Sequence, residues 1–297
     1  MSDCPPNASG KQPLRIARAP GNLPRRLSRL FDHFILITGA LIMSLPVLVI
    51  FMSSTWGGGR VSRDGLQITP GDKFFEVYGG LFSGEPVFSG LANVYTMLGN
   101  TLAIALGFTL LKTLVSLLAA YGLVYFRPRW GSLWFGLIVL TMWFPVETRF
   151  LPTFLVTQKL GLLNTYAGVV LPLVATGYGT LLFHQYFRTV PDELLEAAKM
   201  DGVGPMRFLW QFLVPISVPM ITALFVIFFV MGWNQYFWPI LIATSSEGMI
   251  TLVHGIQRAG TGDSTGMALA IVALLPPAVL VIVLQRFIVR EFVAVTH

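Results

Sequence analysis

A run of 28 residues, 216–243, carries no charged side chain. Unpaired backbone amides and carbonyls are too costly in hydrocarbon for anything but a helix or a closed barrel to cross a bilayer. A core ~30 Å thick needs about 20 apolar residues in a helix. That rule places six spans, at 34–53, 98–125, 133–156, 166–187, 216–243 and 267–289. The expected fold class is an all-α membrane protein with six transmembrane helices. Charged residues make up only 11% of the chain, against about 25% in soluble domains. The third and fourth spans are interrupted by Pro145, Pro152, Pro172 and several glycines. Breaks of this kind are tolerated where neighbouring helices or a cavity satisfy the backbone.

Six spans put both termini on one side, and basic residues decide which. One side collects thirteen of them: Lys11, Arg15, Arg18, Arg25, Arg26 and Arg29 in the first thirty residues, then Arg127, Arg129, Arg188, Lys199, Arg207, Arg286 and Arg290. The other side collects six: Arg60, Arg63, Lys73, Arg149, Lys159 and Arg258. Loops rich in Lys and Arg stay in the cytoplasm, so both termini are expected there. The same loops account for the net charge of +6 without a nucleic-acid partner. The expected organisation is a cytoplasmic tail, 1–30, and a transmembrane domain, 31–297. Within the latter, 55–97 is an external loop and 188–215 a cytoplasmic one. Lys112 stands inside a span, where it is expected to snorkel or to pair within the bundle.

Several chemistries are absent. A phosphate-binding loop needs G-x-x-x-x-G-K-[ST], and Gly10-Lys11 is followed by Gln12. The four histidines are scattered, no Ser/His/Asp arrangement is evident, and the single cysteine, Cys4, excludes an internal disulfide. The chain is therefore expected not to be an enzyme, to hold no cofactor or metal, and to draw energy from a partner. No cleavable signal is expected either, because the basic N-terminus leads into a full-length span.

The segment PDELLEAAKMDGVGPMRFLWQFLVPISVP, 191–219, mixes charge with apolar residues. Pro191 suits a first helical turn, Thr189 can cap it, and Asp192 and Glu193 favour the helix N-terminus. Gly202 and Gly204 stop that helix and Pro205 opens another. This helix–glycine–helix elbow lies between the fourth and fifth spans. Glu196-Ala197-Ala198, then three residues, Gly202, nine residues, and Phe212-Leu213-Val214-Pro215 resemble the EAA loop of bacterial ABC importer permeases. Phe212 and Val214 stand where Ile and Leu are usual. In that family the elbow docks on a cytoplasmic ATPase, a helix-in-groove contact. The resemblance thus assigns coupling to Glu196, Ala197, Ala198, Asp201, Gly202 and Pro215.

Polar residues inside spans mark partners or wet pathways. Glu147 and Arg149 sit in FPVETRFLPTF, two residues apart, and do not face each other on a regular helix. Either each is neutralised within the bundle, or Arg149 offers charge to an anion. The fifth span holds Gly232-Trp233-Asn234-Gln235-Tyr236-Phe237-Trp238-Pro239. Trp233, Tyr236 and Trp238 can stack on sugar-like faces, and Asn234 and Gln235 can bond polyols. Interhelical hydrogen bonds and an aromatic belt are the alternative.

FPVETRFLPTF, TYAGVVLPL, the elbow and GWNQYFWP together resemble the maltose-type, or carbohydrate uptake, permease family, most of all its glycerol-3-phosphate branch. The resemblance covers about residues 34–293. It implies a sister permease in a heterodimer, two ATPase subunits that use ATP, an extracytoplasmic substrate-binding protein, and the bacterial inner membrane. It also implies alternating-access import of sn-glycerol 3-phosphate or a glycerophosphodiester, or else of a di- or oligosaccharide. An ion-coupled secondary transporter would instead show two repeat halves, and no internal repeat is evident.

Overall fold

The computed structural model describes residues 25–57, 59–87, 92–244, 247–260 and 262–294. Most of the expected tail, 1–24, lies outside the described residues, as do the side chains of Arg25, Arg26, Glu147 and Arg290. The chain divides into two units, 1–46 and 47–297. Among the described residues every regular element is helical.

Helix α1 (Arg25–Ser54) is followed by two short helices, α2 (Arg60–Asp64) and α3 (Phe74–Leu81). The end of α1 anchors this loop. Ser53 exchanges hydrogen bonds with Gln67, the Ser54 and Tyr78 hydroxyls meet at 2.9 Å, and the Thr55 hydroxyl accepts from the Gly71 amide at 2.6 Å. Asn93 caps the next helix, α4 (Val94–Tyr125), by accepting from the Thr96 amide at 2.9 Å. At 32 residues α4 is unbroken, about 48 Å long at 1.5 Å per residue.

The expected third span is not one helix. Helix α5 (Gly131–Leu140) tightens into a 3₁₀ turn, Thr141–Trp143. The chain breaks at Phe144-Pro145, makes a second 3₁₀ turn, Val146–Arg149, and resumes as α6 (Phe150–Lys159). Proline has no amide to donate and its ring excludes a continuous helix. The fourth expected span is also broken: α7 (Tyr166–Val170), a 3₁₀ turn at Leu171–Leu173, then α8 (Gly177–Phe187), bent by 51°. The elbow comprises α9 (Asp192–Met200), α10 (Pro205–Phe208), a π-helical turn at Leu209–Leu213 and α11 (Val214–Ile216). A 78° bend leads into α12 (Val218–Trp233). The 28-residue apolar run is therefore not one helix, because α12 stops at Trp233 and α13 (Phe237–Ile242) follows. Helices α14 (Leu252–Ala259) and α15 (Ser264–Ala294) complete the chain. Three helices, 29–54, 94–125 and 264–286, are long and apolar enough to cross a membrane. Counting each bent pair as one span raises the number to five.

Helix α4 is the post of the second unit, with α8 and α12 packed on it. Lipid tails are as apolar as leucine, so helices in a bilayer hold together by close packing and hydrogen bonds rather than by exclusion of water. Small residues supply the closeness. A Cβ on Gly232 would lie 3.1 Å from the Ala105 Cα. At Gly179 it would meet the Ser116 hydroxyl and come within 2.7 Å of the Phe228 ring. Gly179→Ala is therefore expected to destabilise the helix bundle by about 1–3 kcal/mol, the usual cost of overpacking. The check is the thermal unfolding midpoint in detergent, which should fall for Gly179→Ala and not for Gly99→Ala, whose Cβ meets nothing within 4 Å.

Candidate functional site

The three broken segments are locked together beside α4. The Trp238 indole donates to the Val169 carbonyl at 3.0 Å, and Phe150 stacks on Trp238 and Phe237 with centroids 5.6 and 5.3 Å apart. The Asn164 amide donates to the Ile242 carbonyl at 3.0 Å. Gly168 leaves no room for a Cβ against the Leu162 carbonyl. Phe150, Val169, Val170, Trp238 and Ile242 form one buried cluster with Ile104 and Phe108 of α4. FPVETRFLPTF, TYAGVVLPL and GWNQYFWP thus meet in a single core.

Where these segments break, they enclose a cavity of about 280 Å³. Met142, Phe144 and Arg149 line it from the first break, Pro172, Thr176 and Tyr178 from the second, and Met231 and Gln235 from the third. Phe108 and Lys112 of α4 form the opposite wall. Close passage of α8 along α5 depends on Gly177, where a Cβ would stand 2.6 Å from the Ile138 carbonyl oxygen.

Lys112 is 6% exposed, and its ammonium lies 4.0 Å from the centre of the Phe108 ring and 5.5 Å from that of Phe228. It neither snorkels nor pairs with a described carboxylate. Its place in α4 explains why, since it is about 27 and 20 Å from the two helix ends at 1.5 Å per residue. Sequence reasoning did not count it a pathway residue, although one lysine alone in an apolar run was the available signal.

The other predicted pathway residues divide. Arg149, exposed at the end of its 3₁₀ turn, and half-buried Gln235 come together at the cavity. Glu147 shares the turn of Arg149, with its side chain outside the described ones. Trp233 is 2% exposed and donates to the Ala273 carbonyl of α15 at 3.0 Å. Asn234 turns back to the Val230 carbonyl at 2.9 Å and closes α12. Tyr236 is half-buried beside the break and does not line the cavity.

The elbow is built differently. Helix α9 starts directly after Pro191, and Thr189 lies too far back to cap it, so its hydroxyl donates to the Tyr186 carbonyl at 2.7 Å. At the other end, Gly202 donates to Lys199 at 3.0 Å and Val203 to Ala198 at 2.9 Å. These two bonds form a Schellman motif, which requires a left-handed residue, and Gly202 has φ +71°. Gly204, at φ −71°, has ordinary backbone. The Tyr121 hydroxyl of α4 donates to the Pro205 carbonyl at 2.8 Å. Ala198, Phe208, Leu209 and Leu213 are buried against Leu117, Phe183 and Phe187. Glu196, Ala197, Asp201 and Pro215 are exposed, and Met200 and Met206 beside them are 89% and 60% exposed. Among the described residues no His, Cys, Asp or Glu group could hold a metal ion.

The profile of the family described as "Binding-protein-dependent transport system inner membrane component" matches residues 112–293. The chain belongs to that family. Relatives described as "sn-glycerol-3-phosphate transport system permease protein UgpE" come from Brucella melitensis biotype 1, 37% identical over 280 residues, and Yersinia pestis bv. Antiqua, 41% identical over 279. Each alignment covers 91% of this chain and 97% of the relative. A solved bacterial ABC transporter involved in the import of the acidic polysaccharide alginate has the same fold, with a TM-score of 0.73 at 22% identity, covering 89% of this chain and 97% of its own. The protein is thus a multi-pass inner-membrane permease of the ABC importer class. Membership implies a partner permease, an ATPase and a binding protein.

The elbow geometry makes a contrast between its two glycines. A side chain at the left-handed Gly202 costs roughly 1–2 kcal/mol, whereas Gly204 already has a conformation open to any residue. Gly202→Ala is expected to accelerate limited proteolysis of the elbow in membranes, with Gly204→Ala matching the parent protein. Equal cleavage of the two variants would remove the Schellman account.

Proposed function

We propose that this chain is one permease of a heterodimeric ABC importer for sn-glycerol 3-phosphate or a related glycerophosphodiester, working by alternating access. The observation that carries this reading is near full-length similarity, at 37–41% identity, to relatives named for that substrate. The cavity supports it. At about 280 Å³ it lies just below the roughly 300–1,000 Å³ usual for drug-sized ligands, in keeping with a substrate as small as glycerol 3-phosphate. Arg149 at its rim offers the two-pronged guanidinium geometry that suits phosphate oxygens, and Gln235 can bond a glycerol hydroxyl. In this proposal two ATPase subunits spend the ATP, and an external binding protein delivers the substrate.

The elbow, with Glu196, Ala197, Ala198, Asp201, Gly202 and Pro215, is proposed as the ATPase contact at the cytoplasmic face. Both termini lie on that face, the loop 55–97 lies outside, and the segment broken at Pro145 completes six membrane passages. Ala197, Met200 and Met206 are exposed on the elbow, as are Glu196 and Arg207, a mix of adaptable apolar and charged side chains that suits a helix-in-groove contact.

Transport and assembled complex, measured in the same membranes, test the substrate reading. Arg149→Gln is expected to lower glycerol 3-phosphate uptake about tenfold, the order set by one hydrogen bond to a charged group, with little change in complex. Arg149→Lys should restore part of the rate. A proportional loss of uptake and complex would make Arg149 structural. Uptake of a neutral disaccharide in place of glycerol 3-phosphate would replace the substrate reading.

A further inference from the structure

We infer that Lys112 is the inner phosphate ligand of the pathway, and that with Arg149 it forms a two-cation clamp that favours phosphate monoesters over phosphodiesters. This rests on the organophosphate reading and adds a residue and a selectivity to it. Lys112 is 6% exposed in the middle of an unbroken helix and lines the cavity that Arg149 also lines. Its observed partners are the faces of Phe108 and Phe228. Ring faces attract a cation by about 0.5–2 kcal/mol, well short of the several kcal/mol needed to take an ammonium out of water. No described carboxylate supplies the difference. A bundle that needed only packing here would be better served by a neutral side chain of the same length.

Ionisable groups kept inside a membrane domain at such cost mark a functional pathway. The two cations face one small space with Gln235 and Tyr178 beside them. A monoester carries about −1.5 to −2 near neutral pH and can balance both. A diester carries a single charge and leaves one cation uncompensated. The glycerol hydroxyls then fall to Gln235, and the aromatic faces under Lys112 hold the ammonium in place until the phosphate arrives.

The assembled complex with its binding protein, in proteoliposomes, provides the test. Glycerol 3-phosphate and glycerophosphoglycerol are the probes, and the variants are Lys112→Met and Lys112→Arg. Lys112→Met removes the charge and keeps the length. It is expected to lower glycerol 3-phosphate uptake about tenfold or more, and diester uptake about threefold or less, as loss of one charge-assisted bond predicts. Its thermal midpoint should be equal to or above the parent's, because a costly buried charge has gone. Lys112→Arg should retain the preference for the monoester. Equal losses for both substrates, or a lowered midpoint with uptake falling in step, would make Lys112 structural and overturn the inference while the transport assignment stands. Failure of the parent complex to take up either probe would overturn the substrate reading itself.

Discussion

A backbone amide or carbonyl with no partner cannot rest against lipid, and this constraint shapes the whole molecule. Among the described residues the helices are interrupted at Phe144-Pro145, at 174–176 and at 234–236. Each frees polar backbone groups that need protein or water. All three are turned toward one side of α4, where they surround the same cavity. The price of breaking the helices is thus converted into a compartment that brings Lys112, Arg149 and Gln235 together within an apolar bundle. Proline and glycine set the interruptions, and Trp238, Phe150 and Gly168 fix them against one another.

The cavity and the elbow share two rigid elements. Helix α4 holds Pro205 of the elbow through Tyr121 and carries Lys112 nine residues earlier, about 13.5 Å along the axis. Helix α12 begins at the 78° bend below the elbow and ends beside Gln235. Its π-helical approach, Leu209–Leu213, is a form often found at functional positions. Helices α4 and α12 thus connect the elbow directly to two walls of the cavity. Gly179 and Gly232 let α8, α4 and α12 approach closely.

Much of this was legible from residue types. Apolar runs located the long helices, prolines located the breaks in the third and fourth spans, and the spacing from Glu196 to Pro215 pointed to the family. Gly202 was readable because a left-handed residue ends α9. Thr189 was misread as a cap, since Pro191 moves the helix start two residues along. The uncharged run 216–243 gave no sign that its helix ends at Trp233. For Trp233 and Trp238 residue type left sugar stacking and interhelical bonding open, and both indoles donate to carbonyls of neighbouring segments. Such pairings depend on tertiary neighbours that no local pattern encodes. Lys112 was missed for a related reason: α4 is apolar on all sides, so periodicity does not say which face is a wall of the cavity.

The central claim is that the three breaks line one water-accessible compartment occupied by the substrate. Single cysteines at Thr141, Thr176 and Gln235, in a Cys4→Ser background of the assembled complex, test it most directly with a charged, membrane-impermeant thiol reagent. The account predicts that all three are labelled, that glycerol 3-phosphate slows the labelling of each, and that a cysteine at buried Phe183 stays unreactive. Labelling at the three positions no faster than at Phe183, or labelling that substrate leaves unchanged, would contradict it.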